Sequence, residues 1–220
     1  MQNKNNLMLV LSMLIISTLA CSLPFTSQPA VIENNDESGT IFDGRSGVSF
    51  QDDLRVEITV PGSYIIGSSG SDLAPLLGEL QSESGQDAAM LQRLFQNHQA
   101  DILFWGYEPG GQGIPSVSFV VLKNDEYFFM PLGLIGSVAG LVLGEDVNIV
   151  QQDRLTLGNR DTLRLIMTSD ITGPQAYQVA YLFKEAGKLF IVGFIAEKTT
   201  VENQIGLFNS IVSSIIIVSD

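Results

Sequence analysis

Ala176-Tyr177-Gln178-Val179-Ala180-Tyr181-Leu182-Phe183-Lys184-Glu185-Ala186-Gly187-Lys188-Leu189-Phe190-Ile191-Val192-Gly193-Phe194-Ile195-Ala196 holds two runs rich in β-branched and aromatic residues, joined by a short Gly-containing connection. Runs of that length around such a turn predict a β-hairpin, with strands over 176–184 and 189–196. Before it, 147–157 and 162–168 read as two further strands. After it, Thr199-x-x-Glu202 has the form of a capping box, and Val201, Ile205, Phe208, Ile211 and Val212 then fall on one helical face. Upstream, Val56, Ile58 and Val60 alternate with Glu57 and Thr59 and stop at Pro61-Gly62, the pattern of a half-buried strand. Segment 72–99 carries helical spacing, clearest in Ala89, Leu91, Leu94 and Phe95, with a break near Ser84-Gly85. Strands are predicted over 102–107 and 117–122. Consecutive hairpins flanked by helices imply an α+β fold, a mainly antiparallel sheet packed with helices, in one domain over 47–220.

The N-terminus has a different character. Lys4 precedes an apolar run, 7–19, interrupted only by Ser and Thr, and the chain's single cysteine follows in Thr18-Leu19-Ala20-Cys21. This looks like a bacterial lipoprotein signal peptide. The resemblance implies removal of residues 1–20, acyl chains on Cys21 that hold the protein to a membrane, and a location on the outer side of the membrane in a bacterial cell envelope. Thirteen residues rise only about 20 Å as a helix, short of a hydrocarbon core of about 30 Å, so the leader is no permanent span. From 21 to 46 the composition turns to Ser, Thr, Pro, Asn, Asp and Glu, which reads as a flexible tether averaging roughly 25 to 30 Å end to end.

Charge narrows the partners. Without residues 1–20, which carry Lys4 and no acid, the formal net charge moves from −13 to −14. The remaining basic residues are scattered with no two adjacent, which argues against nucleic acid and against a polybasic lipid patch. A lone thiol excludes an intrachain disulfide and a cysteine-based metal site.

Catalytic signatures are sparse. His98, the only histidine, sits among Gln96, Asn97 and Gln99 and reads as a solvated helix end. Gly67-Ser68-Ser69-Gly70-Ser71 lacks the Gly-x-Ser-x-Gly register of a nucleophile elbow. No phosphate loop or dinucleotide fingerprint occurs, so no cofactor is expected. Asn34-x-Asp36-x-Ser38-Gly39-x-Ile41 imitates a calcium loop but has Arg45 where a bidentate Glu is required, and no metal is expected. The pairs Asp52-Asp53, Asp125-Glu126 and Glu145-Asp146 lie at element boundaries. They would serve a lipid-anchored hydrolase only if the fold brought two of them together, which is the alternative to a non-enzymatic binding domain.

Two stretches invite a contact reading. In 103–113 a strand runs into a glycine loop; alternation would bury Leu103, Trp105 and Tyr107 on one face or Phe104 on the other, which reads as core packing, and the alternative makes Tyr107, Glu108 and Gln112 candidate contacts for a protein partner whose identity is unknown. Segment 127–144 has no charge and contains Gly136-x-x-x-Gly140-x-x-x-Gly144. Pro131 and the small residues lower its hydrophobicity, and it reads as a buried helix pressed against the sheet rather than a membrane helix.

The order of elements in the last third resembles a known family. A strand ends in Leu157-Gly158, another begins near Arg160-Asp161 and runs through Leu163-Arg164, a hairpin turns at Gly187-Lys188, and a helix closes with Phe208-x-x-Ile211-x-x-Ser214-Ile215. Upstream, Val60-Pro61-Gly62-Ser63-Tyr64 is similar to the strand-then-Pro-aromatic opening of that family, with Tyr64 in place of Trp; Asn159 stands in place of a second Gly. This succession resembles the PsbP-like domains, among them the DcrB-type bacterial lipoproteins. The resemblance implies an α/β/α sandwich and a binding or assembly role without catalysis.

If Cys21 carries the lipid, Cys21→Ser moves the protein from the membrane fraction to the soluble secreted fraction, or leaves it unprocessed. Metabolic labelling with an acyl analogue that persists on the serine variant would contradict this.

Overall fold

The computed structural model describes residues 44–51, 54–68, 101–110, 115–125, 127–142, 147–169 and 176–219. In chain order these form β1 (Gly44–Gln51), β2 (Leu54–Pro61), β3 (Ile65–Ser68), β4 (Ile102–Pro109), β5 (Pro115–Asn124), α1 (Leu132–Val142), β6 (Val147–Leu157), β7 (Arg160–Ser169), β8 (Ala176–Glu185), β9 (Lys188–Glu197), α2 (Lys198–Ser213) and β10 (Ile216–Ser219).

Seven strands make one sheet in the order β3-β4-β5-β9-β8-β7-β6, with every neighbouring pair antiparallel. The predicted hairpin lies near its centre: Glu185 pairs with Lys188, leaving Ala186 and Gly187 as a two-residue turn with φ of 47° and 72°. The β6–β7 turn is of the same kind, with Gly158 at 56° and Asn159 at 66°. Positive φ at both turn positions matches the twist of the flanking strands, and Asn tolerates that region well, which explains why a second glycine is not needed.

Both faces of the sheet are buried. Phe119, Val121, Tyr181, Phe183, Phe190, Val192 and Phe194 project to one side, where α2 and the inner residues Leu54, Val56, Ile58 and Val60 of β2 cover them. Phe194 stacks on Phe208 of α2 with centroids 4.4 Å apart. Leu163, Leu165, Met167, Leu182 and Ile191 project to the other side, where Leu132 and Ile135 of α1 meet them. Among its described residues, the uncharged segment forms a helix over Leu132–Val142. Gly136 makes the close approach: a Cβ there would stand 3.0 Å from Leu163 Cδ2 and from Gln152 Nε2. No helix among the described residues is long and apolar enough to cross a membrane.

The fold is richer in sheet than an arrangement of helices on both sides implies. β2 does not join the large sheet; β1, β2 and β10 form a second, three-stranded antiparallel sheet on the α2 side. β1 begins at Gly44, three residues inside the stretch read as tether. The closing helix ends at Ser213 instead of continuing through Ile215, and Ile216–Ser219 pairs with β2. Thr199 lies inside α2 and not at its start: Glu197 is the N-cap and makes no side-chain capping bond, because β9 passes into the helix without a loop. The helix predicted over 72–99 lies outside the described residues.

Gly106 shows how tightly β4 is held. A Cβ at this position would lie 2.7 Å from Phe119 Cζ and 2.8 Å from Ile65 O. Gly106→Ala must displace a buried ring or β3, and is expected to cost about 1 to 3 kcal/mol in denaturant unfolding; a change within error would contradict this packing.

Candidate functional site

Charged side chains in the described residues mostly tie strands together. Arg164 donates from Nη2 and Nε to Asp153 Oδ2 at 2.7 and 3.2 Å, and Gln151 Nε2 donates to the same oxygen at 2.9 Å. Across β8, Tyr181 donates its hydroxyl hydrogen to Asn209 Oδ1 of α2 at 2.9 Å, and burial pushes the Tyr181 pKa up to about 12 against the opposing charge of Arg164. Arg160 closes the other end of α2: Nη2 donates to Ile215 O at 2.6 Å, with Ser213 O and Val212 O at 3.3 and 3.4 Å. Its guanidinium lies 4.6 Å over the Phe183 ring and pairs with Glu185 at 3.2 Å. Burial lowers the Arg160 pKa, and Glu185 partly restores it. A cation at a helix C-terminus, donating to its free carbonyls, is a structural cap.

The sequence candidates are dispersed. Tyr107 is 1% exposed, so its side chain is inside, on a strand whose both faces are covered. Glu108 is partly exposed and accepts from Ser63 Oγ at 3.1 Å and Ser116 Oγ at 3.0 Å. Gln112, Cys21, His98, Asp52, Asp53, Glu126, Glu145 and Asp146 lie outside the described residues. Asp125, the described member of the acid pairs, binds Lys188 at 2.9 Å. Among the described residues no three His, Cys, Asp or Glu side chains gather as a metal site would require.

A different set stands out on the α1 face. Register places Trp105, Val120, Gly193, Ala180 and Leu165 in one row across β4, β5, β9, β8 and β7. The next row is Tyr107, Ser118, Ile195, Gln178 and Met167. Residues in register share a face, so Trp105 and Gln178 lie on the same face, with Gly193 of β9 between their strands. Gln178 is 0% exposed, and neither its amide nitrogen nor its oxygen has a hydrogen-bond partner. Trp105 is 3% exposed with Nε1 likewise unpaired. An unpaired buried polar group costs about 1 to 3 kcal/mol, so three such atoms on one apolar face need a reason. α1 covers the β6 and β7 side of this face. Among the described residues the other unpaired buried atoms, Ser49 Oγ, Tyr64 Oη and Gln204 Oε1, belong to β1, the β2–β3 turn and α2, on the far side of the sheet. Sequence reading missed Gln178, although a lone amide inside the apolar hairpin run was a visible signal.

No protein-family model and no curated protein matches the chain. Similar solved structures include the cyanobacterial PsbP protein of Synechocystis, at 10% identity and a TM-score of 0.44, covering 83% of this chain and 98% of that one. LpqN of Mycobacterium tuberculosis, described as involved in cell envelope biogenesis, is 11% identical with a TM-score of 0.44, covering 80% and 91%. A mutant of the protein Mog1 is 9% identical with a TM-score of 0.47, covering 81% and 97%.

The Arg164 guanidinium holds the Asp153 carboxyl below its ordinary value of 3.8. A carboxylate with a lowered folded pKa stabilises above its unfolded value, and that contribution fades as pH falls through the folded one. Asp153→Asn should therefore lower the melting temperature at pH 7, with the gap to wild type closing as pH falls below about 4. A gap that is constant with pH would show that the ion pair contributes nothing.

Proposed function

We propose that this chain is a membrane-tethered extracytoplasmic lipoprotein, held by acyl chains on Cys21, whose folded domain binds a partner without catalysis. The observation that carries the binding reading is the unpaired amide of Gln178 on the same face as the unpaired Trp105 indole. A buried primary amide offers two N–H donors and an accepting carbonyl oxygen, and the indole adds a donor, which suits a largely apolar ligand carrying an amide or hydroxyl group. Glu108, placed at the rim of β4 beyond Tyr107, remains the described candidate for a contact with a protein partner.

Gln178→Leu separates stability from binding. If the amide awaits a ligand, the substitution removes unpaired polar atoms at similar volume, so the ligand-free melting temperature rises or holds. Native mass spectrometry of the detergent-extracted full chain should meanwhile lose any co-purifying small molecule. A melting temperature that falls by an amount typical of a broken buried hydrogen bond, about 1 to 3 kcal/mol, would show that Gln178 is satisfied structurally and end this reading.

A further inference from the structure

Trp105 and Gln178 carry their unpaired atoms on one face of the large sheet, but on strands that do not touch. β5 and β9 lie between β4 and β8. Trp105 stands in register with Val120, Gly193 and Ala180, and Gln178 is two residues from Ala180. Strand spacing sets the two Cα atoms roughly 14 Å apart across the sheet and the two-residue offset sets them roughly 7 Å apart along it, about 16 Å in all. Side chains on strands rise nearly perpendicular to the sheet and lean along the strand, so they close little of the crosswise gap. A single amide or hydroxyl, hydrogen-bonded on both sides at about 2.9 Å each, spans only about 8 Å. One polar group cannot satisfy both residues.

Between the two unpaired groups, solvent reaches this face at one strand. Val120 and Ser118 of β5 are half-buried, whereas Trp105 and Tyr107 on β4 and Gly193 and Ile195 on β9 are buried. Val120 is in register with Trp105 and Gly193, and Ser118 with Tyr107 and Ile195, so both side chains rise from the face that carries Trp105 and Gln178. The opening over β5 is therefore one strand from Trp105 and two strands from Gln178. Gln178, with no exposed surface, is the inner of the two.

We propose that this face takes one elongated ligand with a polar group at each end and an apolar middle, entering over Val120 and Ser118 and spanning from the Trp105 indole to the Gln178 amide. The proposal rests on the proposed binding function and specifies the shape of its ligand. Indole Nε1 only donates, so the end at Trp105 is an acceptor such as a hydroxyl or carbonyl oxygen; the amide at Gln178 both donates and accepts, so a second amide pairs with it. The middle crosses β5 and β9, where Val120, Gly193 and Ile195 offer apolar surface. Taking one hydrogen bond from each end of the gap leaves roughly 8 to 10 Å between the ligand's polar atoms. An extended chain advances roughly 1.2 Å per bond, so about six to eight carbons separate them. A shorter ligand leaves one of the two residues unpaired, and a longer one must fold to fit.

Trp105 is the only tryptophan in the chain, so its emission reports this face alone. The test titrates the full chain, reconstituted in phosphatidylcholine vesicles, with ω-hydroxyalkanamides of three, seven and eleven carbons and with heptanamide, which has one polar end. The seven-carbon hydroxyamide is expected to shift Trp105 emission at free concentrations at least ten-fold below the other three, as the loss of one buried hydrogen bond implies. Gln178→Leu should bring the seven-carbon hydroxyamide and heptanamide level, and Val120→Phe, which narrows the opening, should slow the emission change. The length series needs no variant, so it decides even if Gln178→Leu does not fold. Heptanamide acting as well as its hydroxylated homologue, or no optimum at seven carbons, overturns the two-ended ligand and spares the binding function. An unchanged rate in Val120→Phe overturns entry over β5. No emission change with any of the four compounds overturns this proposal together with the Gln178 binding reading, and assigns the unpaired atoms to buried water.

Discussion

The antiparallel ladder β5–β9–β8 is buried on both faces, and that single constraint shapes the rest of the molecule. All eight residues of β9 between its two ends are buried. A strand in that position can be stable only if each face receives a cover, because its apolar rows would otherwise meet water. Two unlike covers answer this demand. On one side α2 supplies Val201, Phe208, Ile211 and Val212, and the inner face of the small sheet supplies the β2 residues. On the other, α1 reaches Leu163 and the strands beside it through a glycine contact.

The first cover depends on a few polar anchors. β10 follows α2 directly, so the end of the helix fixes where the small sheet can lie. Ser214 lies at that junction, accepting from Thr59 N and donating to Thr59 O, both at 3.0 Å. Arg160 holds the carbonyls on either side of the junction from the first residue of β7. One guanidinium and one hydroxyl thus register helix, small sheet and large sheet against one another. Because the Arg160 charge is largely withdrawn from water, removing Glu185 would leave a poorly compensated cation, so the pair acts as a unit.

How far the sequence announced this follows from the reach of each signal. The β8–β9 hairpin and the apolar face of α2 were legible because their patterns are local: a two-residue turn between long apolar runs, and a 3.6 period. β1, β3 and β10 were not. β1 opens with Gly44-Arg45-Ser46-Gly47, which has no large apolar residue, and its partner Pro61 is supplied through a second strand. Ile215-Ile216-Ile217-Val218 continues the apolar character of α2, and a short apolar run fits helix and strand equally; only pairing with β2 decides. Alternation in 103–107 pointed to a buried Leu103, Trp105 and Tyr107, and these are buried; that Phe104 on the opposite face is buried as well follows from the second cover of β4, which a period of two does not announce. Phe128 and Phe129 sat in an uncharged run, whose composition suggests burial, yet both are exposed at the turn before α1.

The same contrast separates candidate site from scaffold. Among the described residues, ion pairs such as Arg164–Asp153, Arg154–Asp161, Arg160–Glu185 and Lys188–Asp125 join different strands or a strand to a turn. The Gln178 amide and the Trp105 indole have no hydrogen-bond partner, yet they occupy rows where a leucine or phenylalanine would pack without penalty. Polar atoms kept unpaired in such positions oppose folding, and under the proposed function they are the atoms that an interaction outside the folded chain would satisfy. Under the proposed function, the cost of leaving the Gln178 and Trp105 polar atoms unpaired is what binding would offset.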